Sequence, residues 1–480
     1  MLDATMHSSH ALWLDVLDQP VQIEFSGHAA LVDSARERAV EAWGELVLAA
    51  RPVIDAGDEV APLVFTLTAP DGIGQLLDQL SSRATLAGIE ARSGELLMLH
   101  AAGLADPESG RVVACVAPSG TGKTTLSRAA AGKLLYVTDE TVAVTRTGEI
   151  VRYPKPLSVK QHGDGWAPKS QHRPQSFGLE VADAAGLTLG AVVLIERVRD
   201  EGDDLAPHTA ALPALEEVDL FDAIVALVSE LSYLSRMPEP LHWLAETLLG
   251  VGGVRRLRYR EAEQAIPVLQ ELVRGDAPTD PVPQVGFNAG GAASAGDSGP
   301  AGAAAPGGDA ASSGDVVAAS REESARWRDV LARYSPPAAD VATPASAADT
   351  AAAAATASSS EACSETSAYP FAAPATMIED MLIDAQTGRV LIFGDNTVRL
   401  VSSIAAATLL AAEAGLNEAE LRECLYELFG NPAAAAPDAV VADPEAAPVS
   451  DAAAMRPDPG DAVDPVRVVI RSLIGHGLLG

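Results

Sequence analysis

Up to about residue 275, apolar residues come in strand-length blocks broken by polar or glycine-bearing turns. V-Q-I-E-F (21–25) alternates and predicts a strand; P-L-V-F-T-L-T (62–68) predicts a second. G-E-L-L-M-L-H-A-A-G-L-A (94–105) predicts a third, and the turn signal D-P-E-S-G (106–110) joins it to R-V-V-A-C-V (111–116), giving a β-hairpin. L-G-A-V-V-L-I-E-R-V (189–198) reads as a buried strand whose Glu196 and Arg197 form a structural strand-end pair, and R-L-R-Y (256–259) as another strand. Helical spacing predicts helices over 33–43 (Asp33 and Ser34 near the cap), 125–134, 219–231 and 265–273.

From 276 to about 370 the pattern stops. Ala, Gly, Ser, Pro and Asp dominate, and such a stretch cannot bury enough surface to offset ordering entropy, so it predicts a disordered linker. Within it, E-E-S-A-R-W-R-D-V-L-A-R-Y (322–334) has the spacing of a short amphipathic helix, read as transient rather than docked. Periodicity resumes over 371–480. M-I-E-D-M-L-I-D (377–384), R-V-L-I-F (389–393) and T-V-R-L-V (397–401) predict three strands. A helix over 404–414 ends at Gly415, Asn417 caps a second over 418–429, and 466–479 predicts a third. The Ala/Pro/Asp-rich stretch 431–464 reads as a disordered insert. Strands followed by helices at this scale suggest a small winged-helix α+β unit.

Composition narrows the function classes. The chain has 480 residues, enough for two or three domains, and 48% are apolar, although much of that is alanine. With 66 Asp and Glu against 33 Lys and Arg, the formal net charge of −33 argues against nucleic acid and against anionic membranes as partners. Cys115, Cys363 and Cys424 show no paired spacing, which favours neither zinc nor disulfides and fits a reducing, cytoplasmic compartment. No apolar run approaches the ~18 residues of a spanning helix. The N-terminal M-L-D-A-T-M-H lacks the features of a signal peptide.

The chemistry concentrates at 117–124, A-P-S-G-T-G-K-T, a phosphate-binding loop with Ala117 where the pattern G-x-x-x-x-G-K-[ST] begins with glycine. It sits between a predicted strand and a predicted helix. Gly120 and Gly122 let the backbone N–H groups of Ser119 to Thr125 (Ser119, Gly120, Thr121, Gly122, Lys123, Thr124, Thr125) curl around an anion. Lys123 can reach terminal phosphates and Thr124 can ligate Mg²⁺, which implies ATP and Mg²⁺ as cofactors.

With His100 on the hairpin strand before the loop, Asp139 and Glu140 in L-Y-V-T-D-E sixteen residues past Lys123, and Y-P-K-P-L-S-V-K (153–160), residues 20 to 275 resemble the HPr kinase/phosphorylase superfamily, whose nucleotide core is shared with phosphoenolpyruvate carboxykinase. The resemblance implies an α/β P-loop core with a mixed sheet. It makes Asp139 the catalytic base toward a serine-type hydroxyl, places His100 and Lys123 in the same active site, and gives Mg²⁺ to Thr124 with Asp139 or Glu140. Lys155 and Lys160 become candidates for phosphate or substrate contact. The blander alternatives are a core histidine at 100, a solvated turn at 139–140 and surface lysines at 155 and 160. His162, Trp166, His172 and Arg173 read as a substrate-facing loop or simply as solvent-exposed loop. No counterpart of the family's E-I-R-G-x-G signature is present, which favours kinase over phosphorylase activity.

The stretches R-V-L-I-F, V-R-L-V-S-S-I-A-A-A, E-L-R-E-C-L-Y-E-L-F and L-I-G-H-G-L-L resemble the PqqD-like peptide-recognition modules, with L-V-S-S-I-A (400–405) standing where the family has L-N-x-T-A-A. That resemblance implies capture of a peptide, such as a ribosomal precursor peptide, by strand addition. Together the two imply a kinase that phosphorylates a hydroxyl of a recruited peptide or protein. The alternatives are a non-catalytic nucleotide-binding adaptor and a small-molecule kinase. A homo-oligomer stays open.

Overall fold

The computed structural model describes residues 10–50, 52, 61–70, 72–160, 168–199, 212–275, 313–334, 377–430, 465–476 and 478–479. The chain divides into two compact units, Met1–Asp315 and Val316–Gly480.

The first unit opens with an antiparallel pair, β1 (His10–Val16) and β2 (Gln19–Gly27). Helix α1 (Ala29–Trp43) then carries the chain to β3 (Leu63–Leu67), which lies parallel to β2. Helix α2 (Gly72–Ala91) follows, and both helices seal one core with this sheet, around Phe25, Trp43, Leu80 and Val16. At Gly88 of α2 a Cβ would lie 2.4 Å from Val16 Cγ1, so glycine is what lets this helix approach β1. Helix α1 begins four residues before the expected start, with His28 at its N-cap and no side-chain cap bond, so Asp33 and Ser34 lie inside the helix.

The second sheet positions the site. Its strands are β4 (Leu97–Ala105), β5 (Arg111–Val116), β6 (Leu135–Thr138), β7 (Thr141–Val144), β8 (Ile150–Val151), β11 (Thr188–Arg197), β12 (Ala214–Val218), β13 (Leu231–Ser232) and β14 (Val254–Tyr259). Between β8 and β11 a separate two-stranded ribbon forms from β9 (Leu157–Val159) and β10 (Ser170–His172). The main order is β12-β14-β11-β5-β4-β7-β8, with β6 and β13 also paired to β4. β5, β11 and β14 run parallel and β4 runs antiparallel to β5, so the sheet is mixed and the unit is α/β. Helices α3 (Lys123–Ala129) and α6 (Ala262–Arg274) cover one face through Leu126, Ala130, Ile266 and Leu269. Helices α4 (Leu220–Val228) and α5 (Pro240–Gly250) complete the unit.

The hairpin β4–β5 forms with the expected register. Asp106 secures its turn by accepting from Ser109 N at 3.0 Å and Ser109 Oγ at 2.8 Å. Two helices are shorter than their sequence spans. The one expected over 125–134 stops at Ala129, before Gly132 in a left-handed conformation (φ 69°). The one expected over 219–231 stops at Val228, because Leu231 and Ser232 are drawn into strand pairing with β4. Glu196 and Arg197 are structural, but each pairs elsewhere, with Arg258 (3.4 Å) and Glu261 (3.1 Å) respectively.

The second unit begins within helix α7 (Ser313–Tyr334). Strands β15 (Asp380–Asp384), β16 (Arg389–Gly394) and β17 (Thr397–Ser402) form an antiparallel sheet, followed by α8 (Ser403–Glu413), α9 (Glu418–Phe429) and α10 (Pro465–Gly475). Asn417 and Glu420 make the reciprocal capping box expected at α9, and Gly415 takes φ 75° after α8. One expectation is corrected: α7 is docked, not transient. Trp327 is 1% exposed and packs edge-on against Phe429, with ring centroids 5.4 Å apart. Val330 and Leu331 join the same core, and buried Ser320 accepts from Ile383 N at 2.8 Å. The predicted linker 276–370 therefore contains an ordered helix; its other parts, 276–312 and 335–370, and the insert 431–464 lie outside the described residues.

Truncating the Trp327 anchor tests this correction. Trp327→Ala is expected to cost the second unit about 3–5 kcal/mol, as for other buried tryptophans. Calorimetric unfolding should show a lowered transition for this unit, whereas a transient helix would leave the thermogram unchanged.

Candidate functional site

The loop 117–122 leaves the carboxyl end of β5 and enters α3, the place where open α/β sheets present their ligand crevice. Gly120 and Gly122 adopt φ values of 87° and 115°, which L side chains rarely take. A Cβ at Gly122 would meet nothing within 4 Å, and one at Gly120 would meet Lys160 Nζ at 4.0 Å. The inner face of the loop is thus open, with one ammonium above it. Thr121 closes the turn internally, its hydroxyl donating to Pro118 O at 2.9 Å.

Around this loop the fold gathers a cleft of about 350 Å³. Ser119, Gly120, Gly122, Lys123, Thr124 and Thr125 line it from the loop, and His100, Asp139 and Glu140 from β4 and the β6–β7 turn. Of the residues expected to bind nucleotide, only Thr121 is not part of the lining. Lys155 and Lys160 also face the cleft.

The strand pairing explains His100. On one edge β4 pairs with β7 over Leu97–His100 and then with β6 over Gly103–Ala105; on the other it pairs with β13 at Met98 and Leu99 and then with β5 over Ala101–Ala105. At this exchange of partners His100 N donates to Glu230 O (2.7 Å) and Ala101 N to Glu140 O (3.0 Å), fixing the imidazole beside the carboxylates. Burial, and then the Lys123 ammonium, push its pKa below the usual histidine value, which favours the neutral ring. Burial likewise lowers Lys123, whose Nζ donates to the carbonyls of Ala117 and, at 3.4 Å, Pro118.

Asp139 is not in a solvated turn, although the Glu140 side chain stays one-third exposed. Asp139 is buried; its Oδ2 accepts from Thr124 Oγ1 at 2.9 Å and its Oδ1 from Tyr136 Oη at 3.1 Å. Lys155 is no surface lysine either. At 1% exposure its Nζ lies 2.5 Å from Glu140 Oε2 and 3.8 Å from Asp139 Oδ1. It also donates toward Pro156 O (3.3 Å), Ser81 Oγ (3.4 Å) and Ser158 Oγ (3.5 Å). Burial alone would raise the Glu140 carboxyl, but the Lys155 ammonium outweighs it and holds Glu140 below its ordinary value. Burial, reinforced by the Asp139 carboxylate, pushes the Tyr136 phenol well up, so it remains a donor.

Thr124 and Asp139 together fit a Mg²⁺ site of the kind completed by substrate phosphates, with one hydroxyl and one carboxylate already aligned. Glu140 fits it less well, because its carboxylate is engaged by Lys155. Among the described residues no group of three or more His, Cys, Asp and Glu could hold a metal unaided.

Three lining residues, Asp78, Ser81 and Ser82, come from α2, a helix not among the expected elements although Ile73, Leu76, Leu77, Leu80 and Ala84 carry helical spacing. Asp78 ties α2 to the β9–β10 ribbon by accepting from Lys169 N (3.3 Å) and Gln171 Nε2 (3.2 Å). His172 and Arg173 line a second cleft of about 360 Å³; among the described residues Lys169 lines both clefts. His162 and Trp166 lie outside the described residues.

Compared with known proteins, the chain matches no family model, and no curated protein matches it in sequence.

The Glu140–Lys155 pair carries a pH signature. A carboxylate whose folded value is depressed adds stability that is fully present above its unfolded value, ordinarily 4.5, and lost as pH falls through the folded value. Glu140→Gln should therefore be less stable than wild type at neutral pH, with the gap closing below pH 4.5. Urea midpoints measured across pH check this; a constant gap would contradict it.

Proposed function

We propose that the first unit is an ATP- and Mg²⁺-dependent phosphotransferase of the HPr-kinase-like kind, transferring a phosphoryl group to a hydroxyl. The observation that carries this reading is the Thr124–Asp139 hydrogen bond beside an open, glycine-curved anion loop. Phosphoryl transfer asks a protein mainly for positioning and charge, and these residues supply both. The loop amides and Lys123 would hold the β- and γ-phosphates. Mg²⁺ on Thr124 and Asp139 would offset the triphosphate charge. The acceptor oxygen attacks the γ-phosphorus, the bond to the ADP oxygen breaks, and the acceptor proton passes to Asp139, with neutral His100 alongside.

The second unit supports a peptide or protein as acceptor. Among the described residues β17 pairs with β16 alone, so its outer edge can take an added strand, in the manner of PqqD-like modules. Delivery by a tethered module raises the local substrate concentration. Free, buried Cys115 and Cys424 suit a reducing compartment such as the cytoplasm. No helix of the described residues is long and apolar enough to cross a membrane.

Titrating magnesium nucleotide into the protein, then assaying transfer from labelled ATP to a precursor peptide encoded beside the gene, tests the reading. Lys123→Ala is expected to weaken nucleotide binding at least tenfold, the loss of about 1.4 kcal/mol. Asp139→Asn should leave the loop able to bind nucleotide, weaken Mg²⁺, and slow transfer by about 10²–10⁴-fold, the usual worth of a general base. No heat on titration would end the proposal. Tight binding without turnover, indifferent to Asp139→Asn, would support the adaptor instead.

A further inference from the structure

The buried lysine is the group that phosphate binding and proton transfer, as described above, leave without a task. Lys155 is 1% exposed, yet it lines the reaction cleft. Its segment is flanked by prolines, with Pro154 and Pro156 on either side, and Lys155 N closes a tight turn over Pro154 by donating to Tyr153 O at 2.8 Å. Proline fixes its own φ and restricts its predecessor, so the backbone at 155 has little freedom to move the ammonium. The backbone is also anchored, because Lys155 O accepts from Tyr136 Oη at 3.1 Å, and the same hydroxyl bonds Asp139 Oδ1. Tyr136 Oη thus sits between the lysine carbonyl and the aspartate carboxylate, its one proton shared between the two acceptors. On the far side Tyr153 Oη bonds Thr85 of α2 at 2.8 Å, and Lys155 Nζ reaches Ser81 of the same helix.

This arrangement separates the two carboxylates by role. Asp139 turns one oxygen to Thr124 and the other to Tyr136, with Lys155 further away at 3.8 Å. Glu140 has its carboxylate against Lys155 at 2.5 Å. An ammonium taken out of water needs a full counter-charge, and withdrawing that partner leaves an uncompensated buried charge. Glu140 is therefore committed to Lys155 in a way Asp139 is not.

We propose that Lys155 is a positioning residue that fixes the carboxylate pair for phosphoryl transfer, keeping Glu140 as its counter-ion and leaving Thr124 and Asp139 as the metal-binding pair. This inference rests on the phosphotransferase reading of the same cleft. It departs from the expectation that Glu140 serves as a metal ligand. It also gives α2 a function: through Ser81 and Thr85 the small N-terminal sheet and its helices support the lysine segment.

The test uses the full chain, with magnesium ATP as the probe and its hydrolysis, water standing in as acceptor, as the readout. Lys155→Met is expected to lower kcat about 10- to 100-fold, as outer-sphere partners of metal ligands do. Its KM for ATP and its calorimetric affinity for magnesium ADP should stay within about threefold, under half a factor of ten and so below 0.7 kcal/mol. Lys155→Arg, which keeps the charge, should recover part of the lost kcat; a residue needed only for packing would not show this split. Glu140→Gln breaks the same pair from its more exposed side, and it gives the same kcat reading if Lys155→Met does not fold. The double variant should lose no more than the worse single one, because one interaction is being removed. In Mg²⁺ titrations Asp139→Asn should weaken the apparent metal affinity while Glu140→Gln does not. Wild-type kcat in both Lys155→Met and Glu140→Gln, with Lys123→Ala inactive, would overturn the assignment of Lys155 alone. Glu140→Gln weakening Mg²⁺ as much as Asp139→Asn would overturn it too. Failure of the wild-type protein to bind magnesium nucleotide would overturn the underlying reading, and this inference with it.

Discussion

A lysine that is 99% covered cannot lose its water without anions and acceptors to replace it, and at Lys155 that need draws several elements together. Glu140 and Asp139 reach it from the turn between β6 and β7, Ser81 from α2, and Ser158 from β9. The strands among these elements are short: β6 and β7 have four residues each and β9 has three. Short strands of this kind are held by their partners rather than by propensity. Tyr153, two residues earlier, packs against Trp43 of α1 with ring centroids 6.5 Å apart, which places the same segment in the core of the small sheet. The segment thus adds to a junction of the small sheet with the main sheet that Met98 of β4, Ala143 of β7 and Val151 of β8 also build.

Local charge departs sharply from the charge of the whole chain. A net charge of −33 argues against polyanionic partners in general. The main cleft nevertheless sets Lys123, Arg128, Lys155, Lys160 and Lys169 against Asp78, Asp139 and Glu140, five cations to three carboxylates. Field lines concentrate in such a concave, walled space, so an acidic protein can still attract a small polyanion there. Composition constrains the outer surface, and the strand pairing of β4 decides which charges meet inside.

Much of the site was legible in the sequence, and the reason is local. The strand at 111–116, the hairpin turn and the glycine-lysine-threonine run depend on neighbours within a few residues, and the structure has them at those positions. His100 and the Asp139–Glu140 pair were legible as candidates only through the resemblance to a known family, because their proximity comes from β4 exchanging partners, a long-range event. The burial of Lys155 was not legible: a lysine between two prolines reads as a surface turn unless the carboxylates that pair with it are known to lie across the cleft. Helix α7 was misjudged for a related reason. Its alanine-rich surroundings suggest disorder, while the partners that order it lie far off in sequence, Ile383 63 residues from Ser320 and Phe429 102 residues from Trp327.

The departure at Ala117 shows how a motif is better judged by conformation than by letters. Ala117 is absent from the positive-φ positions, so the backbone there makes no demand for glycine. The residue is 3% exposed and belongs to the same buried cluster as Leu126 and Ala130. Its carbonyl accepts from Lys123, so the residue still shapes the loop through an atom every amino acid carries. The conformational demand falls instead on Gly120 and Gly122, at φ 87° and 115°, where a side chain would strain the backbone. Loss of the first glycine removes nothing the loop uses, whereas alanine at either later position would distort the curve that gathers the N–H groups.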